Sequence, residues 1–251
     1  MEAAVDLTVA CVDALWPLAS QAPQAWLSPS ETRRLERIRG PGRYREFVAS
    51  RCLMRMLLSA HTGFERGWQS WVLEAPDNAS PVVHACGLDG AGLHLNLSHS
   101  QGLLACAVFH LPVGVDLEVR RAARLRDVAG LSELVCSVQE QSWLAGLPDE
   151  GARQSAFLQL WTRKEAYFKW QGTGLDLSLL PAVCSQTPCP LQSAIAAGTS
   201  LAGEWGGRGF DLSVCAGASP IEVRIRLLEG VACLAPAHSS PWALTALSGR
   251  A

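Results

Sequence analysis

The stretch from Phe157 to Leu175 constrains this chain most. Phe157, Leu160, Trp161, Tyr167 and Phe168 recur at helical spacing and form a broad apolar stripe. A helix with such a stripe must bury it against another layer. Gly172 and Gly174 then stop the helix, because glycine accepts the positive φ of a helix end. Glu165 and Lys169 share one face, with Glu165 at the border of the stripe, where a carboxylate is partly shielded. Alone, such a Glu–Lys pair is an ordinary surface contact worth roughly a few tenths of a kcal/mol.

Two upstream segments change its meaning. Val113-Gly114-Val115-Asp116-Leu117-Glu118-Val119 alternates strictly, the period of a strand. Asp116 and Glu118 therefore point into the same space. Close like charges repel unless solvent or a cation screens them. A wet outer strand face satisfies that condition, and so does a hard divalent cation such as Mg²⁺, held by one or two carboxylates with waters and phosphates.

The second segment, Leu93 to Val108, reads as a strand, a polar bend at Ser98-His99-Ser100, and an apolar strand. Hydroxyls, imidazole and backbone N–H groups at a bend can meet an anion, although a turn alone also accounts for these residues. A Ser–His nucleophilic dyad is disfavoured, since adjacent strand residues point apart and no G-x-S-x-G elbow occurs.

In order, N-L-S-H-S (Asn96 to Ser100), G-V-D-L-E (Gly114 to Glu118) and W-T-R-K-E-A-Y-F-K-x-x-G-x-G-L (Trp161 to Leu175) resemble the 4′-phosphopantetheinyl transferases of the surfactin-synthetase-activating (Sfp) type. The match runs from about Arg33 to Leu175. Arg45 to Leu58 looks like the family's Arg-bearing, Leu-rich helix, preceded by Arg33, Arg34, Arg37, Arg39 and Arg43. Cys136 to Leu144 resembles its F-S-x-x-E-x-x-x-L segment, with Cys136 in place of the aromatic. The chain departs from the family's Gly-Lys-Pro segment: Pro81 is kept, but Ser80 stands where lysine is expected.

The resemblance implies an α+β fold: a pseudo-dimer of two similar α/β lobes with the active site at their interface. It implies transfer of the phosphopantetheine arm of coenzyme A to a serine of an apo acyl or peptidyl carrier protein, with release of adenosine 3′,5′-bisphosphate. By similarity, Asp116, Glu118 and Glu165 would bind Mg²⁺, or Mn²⁺ in its place. Lys169 would contact the pyrophosphate and offset charge. Ser98 and His99 would contact phosphates of coenzyme A, and Arg37 and Arg51 are candidates for its 3′-phosphate, which suits a guanidinium. Glu140 is a candidate general base, although Ser137 and Glu140 also form a capping box that gives both a structural reason. A carrier-binding relative without chemistry and a metal-dependent phosphohydrolase are the alternatives.

Hydrophobic content of 49% and charged content of 18% over 251 residues exclude a disordered chain. A net charge of −2 gives no global reason to expect nucleic acid, but Arg33 to Arg55 and Arg120 to Arg126 are densely basic and could steer an acidic carrier. The nine cysteines form no C-x-x-C pair, Glu2 and Asp6 sit where a secretory signal would be basic, and no apolar run is long enough to span a membrane. The expectation is a reduced, cytoplasmic monomer. Its lobes are 1–112, binding coenzyme A, and 113–235, carrying the metal and catalytic residues, with a partly disordered tail at 236–251. Pro181 to Gly209, rich in small residues, is expected to be loop.

Overall fold

The computed structural model describes residues 4–74, 81–84, 92–120, 127–186, 194–217, 222–228, 231–233 and 240–246. The chain runs β1 (Val5–Cys11), α1 (Val12–Ala19), α2 (Pro29–Glu36), α3 (Pro41–His61), β2 (Val72–Glu74), β3 (Val82–His84), β4 (His94–Ser100) and β5 (Leu103–Phe109). It continues with β6 (Gly114–Val119), α4 (Val128–Val135), α5 (Val138–Ala145), α6 (Glu150–Gln171), β7 (Val183–Gln186), β8 (Ala196–Trp205) and β9 (Arg208–Cys215). Strands β10 (Val223–Leu227), β11 (Val231–Cys233) and β12 (Ser240–Ala246) follow. The fold is α+β and divides into two compact units: Met1–Val113 with Glu222–Val231, and Gly114–Ile221 with Ala232–Ala251.

In the first unit a sheet of order β10-β1-β5-β4 carries α3 on one face. Ser28 and Glu31 cap α2 reciprocally, and Pro41 opens α3, where a missing N–H costs nothing. Val48, Cys52, Leu53 and Leu57 of α3 pack with Leu15, Leu104 and Val108 in one core. Strand β10, expected inside the second lobe, lies parallel to β1 with Val5 opposite Val223. The stretch from Trp68 is a 3₁₀ turn at Trp68–Ser70 before β2, and β2 pairs with β3.

In the second unit β6-β9-β8-β12-β7 form a sheet, and β11 adds to β8. Asp149 caps the start of α6, and Gly172, at φ 70, ends it. Helix α6 rests on β6 backbone to backbone: a Cβ at Gly114 would lie 1.9 Å from the Ala166 oxygen and 2.4 Å from the Trp170 nitrogen. Phe157, Leu160, Tyr167 and Phe168 fill the core beside it with Leu144 and Leu180.

Within the expected loop at 181–209 the described residues are instead largely strand, as β7 and β8. The small residues of β8 make room for bulky neighbours. A Cβ at Gly198 would strike the Trp242 ring at 2.5 Å, and one at Gly203 the Phe210 ring at 2.1 Å. Trp242 comes from β12, a strand within the stretch expected to be a partly disordered tail.

Candidate active site

Asp116 and Glu118 lie on the face of β6 that meets α6, the face Gly114 opens by having no side chain. The wet outer face is overturned here: Asp116 is only 3% exposed. From α6, Lys169 places its Nζ 2.6 Å from Asp116 Oδ1 and 3.6 Å from Glu165 Oε2. The Lys169 side chain keeps 29% of its exposure. Burial, then the Asp116 charge, pushes the Glu165 carboxyl up to about 7; Lys169 opposes the rise and Glu118 adds to it. One strand and one helix thus gather three carboxylates and one ammonium.

Whether these groups suit a divalent cation follows from the donors. All are carboxylate oxygens, the class that Mg²⁺ and Mn²⁺ prefer. Burial first, and then repulsion from Asp116 and Glu118, raise the Glu165 pKa, and Lys169 opposes the rise. They do not form a closed cage: among the described residues no three His, Cys, Asp or Glu side chains gather tightly enough to hold a metal ion. Mg²⁺ seldom uses an all-protein cage, taking one or two carboxylates with waters and phosphates instead. The donor set therefore fits the ion, with Lys169 standing among the donors.

Glu140 sits in a different environment. Its Oε2 accepts from the Ser137 backbone N–H at 2.7 Å and from Lys164 Nζ at 2.6 Å, and its Oε1 accepts from the Ser185 N–H at 2.7 Å. Lys164 also donates to the carbonyls of Val135 at 2.8 Å and Leu180 at 2.9 Å. The two side chains are 0% and 3% exposed. This carboxylate ties α5, α6 and β7 together. Sequence reasoning missed Lys164, because a Lys-Glu dipeptide in a helix reads as surface. The capping box at Ser137 was the available signal.

A second missed feature is Asp211 on β9, directly across from Glu118. Its carboxylate accepts two 2.7 Å bonds from Arg120, a bidentate pair that satisfies this fourth acid.

Apart from Lys169, the expected phosphate contacts lie in the first unit. Ser98 to Ser100 continue strand β4, and the bend falls two residues later, at Gln101 (φ 53) and Gly102 (φ 87). The pleat therefore buries Ser98 and leaves the His99 side chain 42% exposed. His99 Nδ1 lies 3.1 Å from Glu46 Oε1, which also accepts from Arg43 at 3.0 Å. Arg51 is buried, 3.3 Å from Glu31 and stacked 4.5 Å over Phe47. Desolvation holds its pKa down at about 10 despite Glu31. Arg37 is exposed at the C-terminal end of α2. Arg55 was not singled out from sequence; it is fully buried on the same Glu31. Ser80, where the family's lysine is expected, lies outside the described residues.

Carboxylates and an ammonium set together on a strand and a helix are groups that phosphoryl transfer can use. Comparison makes that chemistry specific. Residues 112–214 match the model of the 4′-phosphopantetheinyl transferase superfamily. The 4′-phosphopantetheinyl transferase HetI of Nostoc sp. is 33% identical over 194 residues, covering 72% of this chain and 78% of that protein. The 4′-phosphopantetheinyl transferase psf-1 of Bacillus pumilus is 35% identical over 109 residues, covering 43% and 42%. The 4′-phosphopantetheinyl transferase Sfp of Bacillus subtilis is 33% identical over 86 residues, covering 34% and 36%. The chain belongs to the 4′-phosphopantetheinyl transferase family, and so to a family of transferases. Among the described residues no helix is long and apolar enough to cross a membrane.

Proposed function

We propose that the chain transfers the phosphopantetheine arm of coenzyme A to a serine of an apo acyl or peptidyl carrier protein in a Mg²⁺-dependent reaction. The observation that carries this reading is α6 presenting Glu165 and Lys169 against Asp116. Asp116, Glu118 and Glu165 would hold the cation, which when bound neutralises pyrophosphate charge. Lys169 contacts the same pyrophosphate and offsets charge on the leaving group. The serine Oγ bonds to the phosphorus bearing the pantetheine arm and gives up its proton to solvent water. The bond from that phosphorus to the bridging oxygen breaks, and adenosine 3′,5′-bisphosphate leaves with the electron pair.

Ser98, His99, Arg37 and Arg51 are assigned to the phosphates of coenzyme A, His99 having the exposure to reach one. Glu165 and Lys169 stay in the catalytic set. Glu140 moves out of it to a positioning role, because its oxygens already accept three hydrogen bonds. The reading takes in the pseudo-dimeric plan of two lobes; each unit has its own sheet with one long helix packed on it. It also takes in a reducing, cytoplasmic setting. The described cysteines Cys11, Cys52, Cys106, Cys136, Cys184 and Cys215 are buried free thiols.

Incubation with coenzyme A, Mg²⁺ and an apo carrier protein, followed by intact-mass measurement, tests the assignment. The carrier should gain one phosphopantetheine. An unchanged carrier across a panel of acyl and peptidyl types would overturn it, and cleavage of coenzyme A without carrier would indicate a phosphohydrolase.

A further inference from the structure

Lys169 is doing something in this structure that contact with a pyrophosphate does not explain. Its ammonium lies against Asp116 and within ion-pair distance of Glu165. It therefore occupies one oxygen of a carboxylate that a divalent cation would need. A metal–oxygen bond to Mg²⁺ is about 2.0–2.1 Å, and a second cation cannot be brought to Asp116 without strong repulsion from an ammonium 2.6 Å away.

We infer that Lys169 is the resident counter-ion of the carboxylate cluster: it competes with the divalent cation for Asp116, and coenzyme A relieves the competition by offering the ammonium a pyrophosphate. The inference rests on the metal assignment made above and adds an order of events to it. The site alone binds metal weakly, because the metal must first displace the ammonium from Asp116. When the pyrophosphate arrives, Lys169 exchanges one anion for another and the carboxylates are released to the metal. Nucleotide and metal then raise each other's affinity by the same factor, as linkage requires.

Geometry supports the exchange. Lys169 sits in the last turn of α6 and is partly exposed, so its long side chain can swing while the helix stays in place. Lys164, one turn earlier, is fully enclosed and held by two carbonyls as well as Glu140, so it cannot swing in this way.

The test is Mn²⁺ binding by the 251-residue chain, read from the paramagnetic resonance signal of free Mn²⁺, with and without coenzyme A and with no carrier protein. Wild type should bind Mn²⁺ weakly alone and more tightly with coenzyme A. Lys169→Met should bind Mn²⁺ at least about tenfold more tightly than wild type in the absence of coenzyme A, with a smaller gain when coenzyme A is added. Lys169→Arg, which keeps the charge, should restore weak binding alone. Circular dichroism on each variant establishes that it is folded. Equal or weaker Mn²⁺ binding by folded Lys169→Met overturns the counter-ion role while leaving the metal site standing. If neither wild type nor variant binds Mn²⁺, even with coenzyme A, the metal assignment fails and this inference with it.

Discussion

Helix α6 carries two lysines, each 2.6 Å from a carboxylate, and they do opposite work. Lys164 meets Glu140 with every partner supplied by the protein: a capping box, two carbonyls and a strand N–H. Lys169, itself partly exposed, meets Asp116 beside two more acids, Glu165 and Glu118. The bond lengths are alike, so length does not separate structure from function. What separates them is how completely the charges are satisfied and whether the pair can be taken apart by something from outside. A closed pair braces the fold, whereas an open, under-neutralised pair is ready to exchange partners.

The largest expected effect would come from the closed pair. Lys164→Met leaves Glu140 charged and buried, and should cost about 3–5 kcal/mol of stability in guanidinium denaturation. Glu140→Gln should behave similarly while transfer per folded molecule stays close to normal. A Glu140→Gln protein as stable as wild type but unable to transfer would reverse the contrast and return Glu140 to the role of base.

Next comes the open site. Asp116→Ala should lower kcat about a hundred- to a thousandfold with the melting temperature nearly unchanged, since the loss is of charge stabilisation during reaction. Chelation by EDTA should act in the same direction on wild type. Transfer that survives both treatments would remove the metal from the scheme.

The same contrast recurs more weakly in the first unit, where Arg55 and Arg51 share Glu31. Arg51→Ala should raise the KM for coenzyme A by about ten- to a hundredfold and do much less to dephospho-coenzyme A. Equal losses on both donors would class Arg51 with Arg55, as packing. The smallest effect belongs to Lys169→Met measured as stability alone: a shift of about 1 kcal/mol or less by thermal melting, since Lys169 itself reaches water although Asp116 is buried. A loss as large as that of Lys164→Met would abolish the distinction between the two lysines.

The parts of this picture that could be read from sequence are those with a local period. Val113 to Val119 alternates and is β6; the stripe from Phe157 to Phe168 is α6, ended by Gly172. The acids and Lys169 were legible because those periods fix which side they take. Lys164 was not, because its burial depends on carbonyls from two other segments. Strand β8 was mistaken for a loop because its glycines answer to Trp242 and Phe210, and Trp242 lies far along the chain. The bend after His99 was misplaced by two residues, since polar residues can continue a strand when alternate ones are buried.

The parallel pairing of β10 with β1 bears on how the chain is made. Val5 emerges early in synthesis, and its partner Val223 emerges only after nearly all of the second unit. Until then one edge of β1 presents unpaired N–H and C=O groups to whatever is nearby. The first unit is therefore begun first and completed late, and a chain cut short after β9 would lose a strand from the sheet at its beginning. A fragment ending at Val113 should accordingly show the behaviour of an open strand edge, pairing with other chains at concentrations where the whole protein stays dispersed.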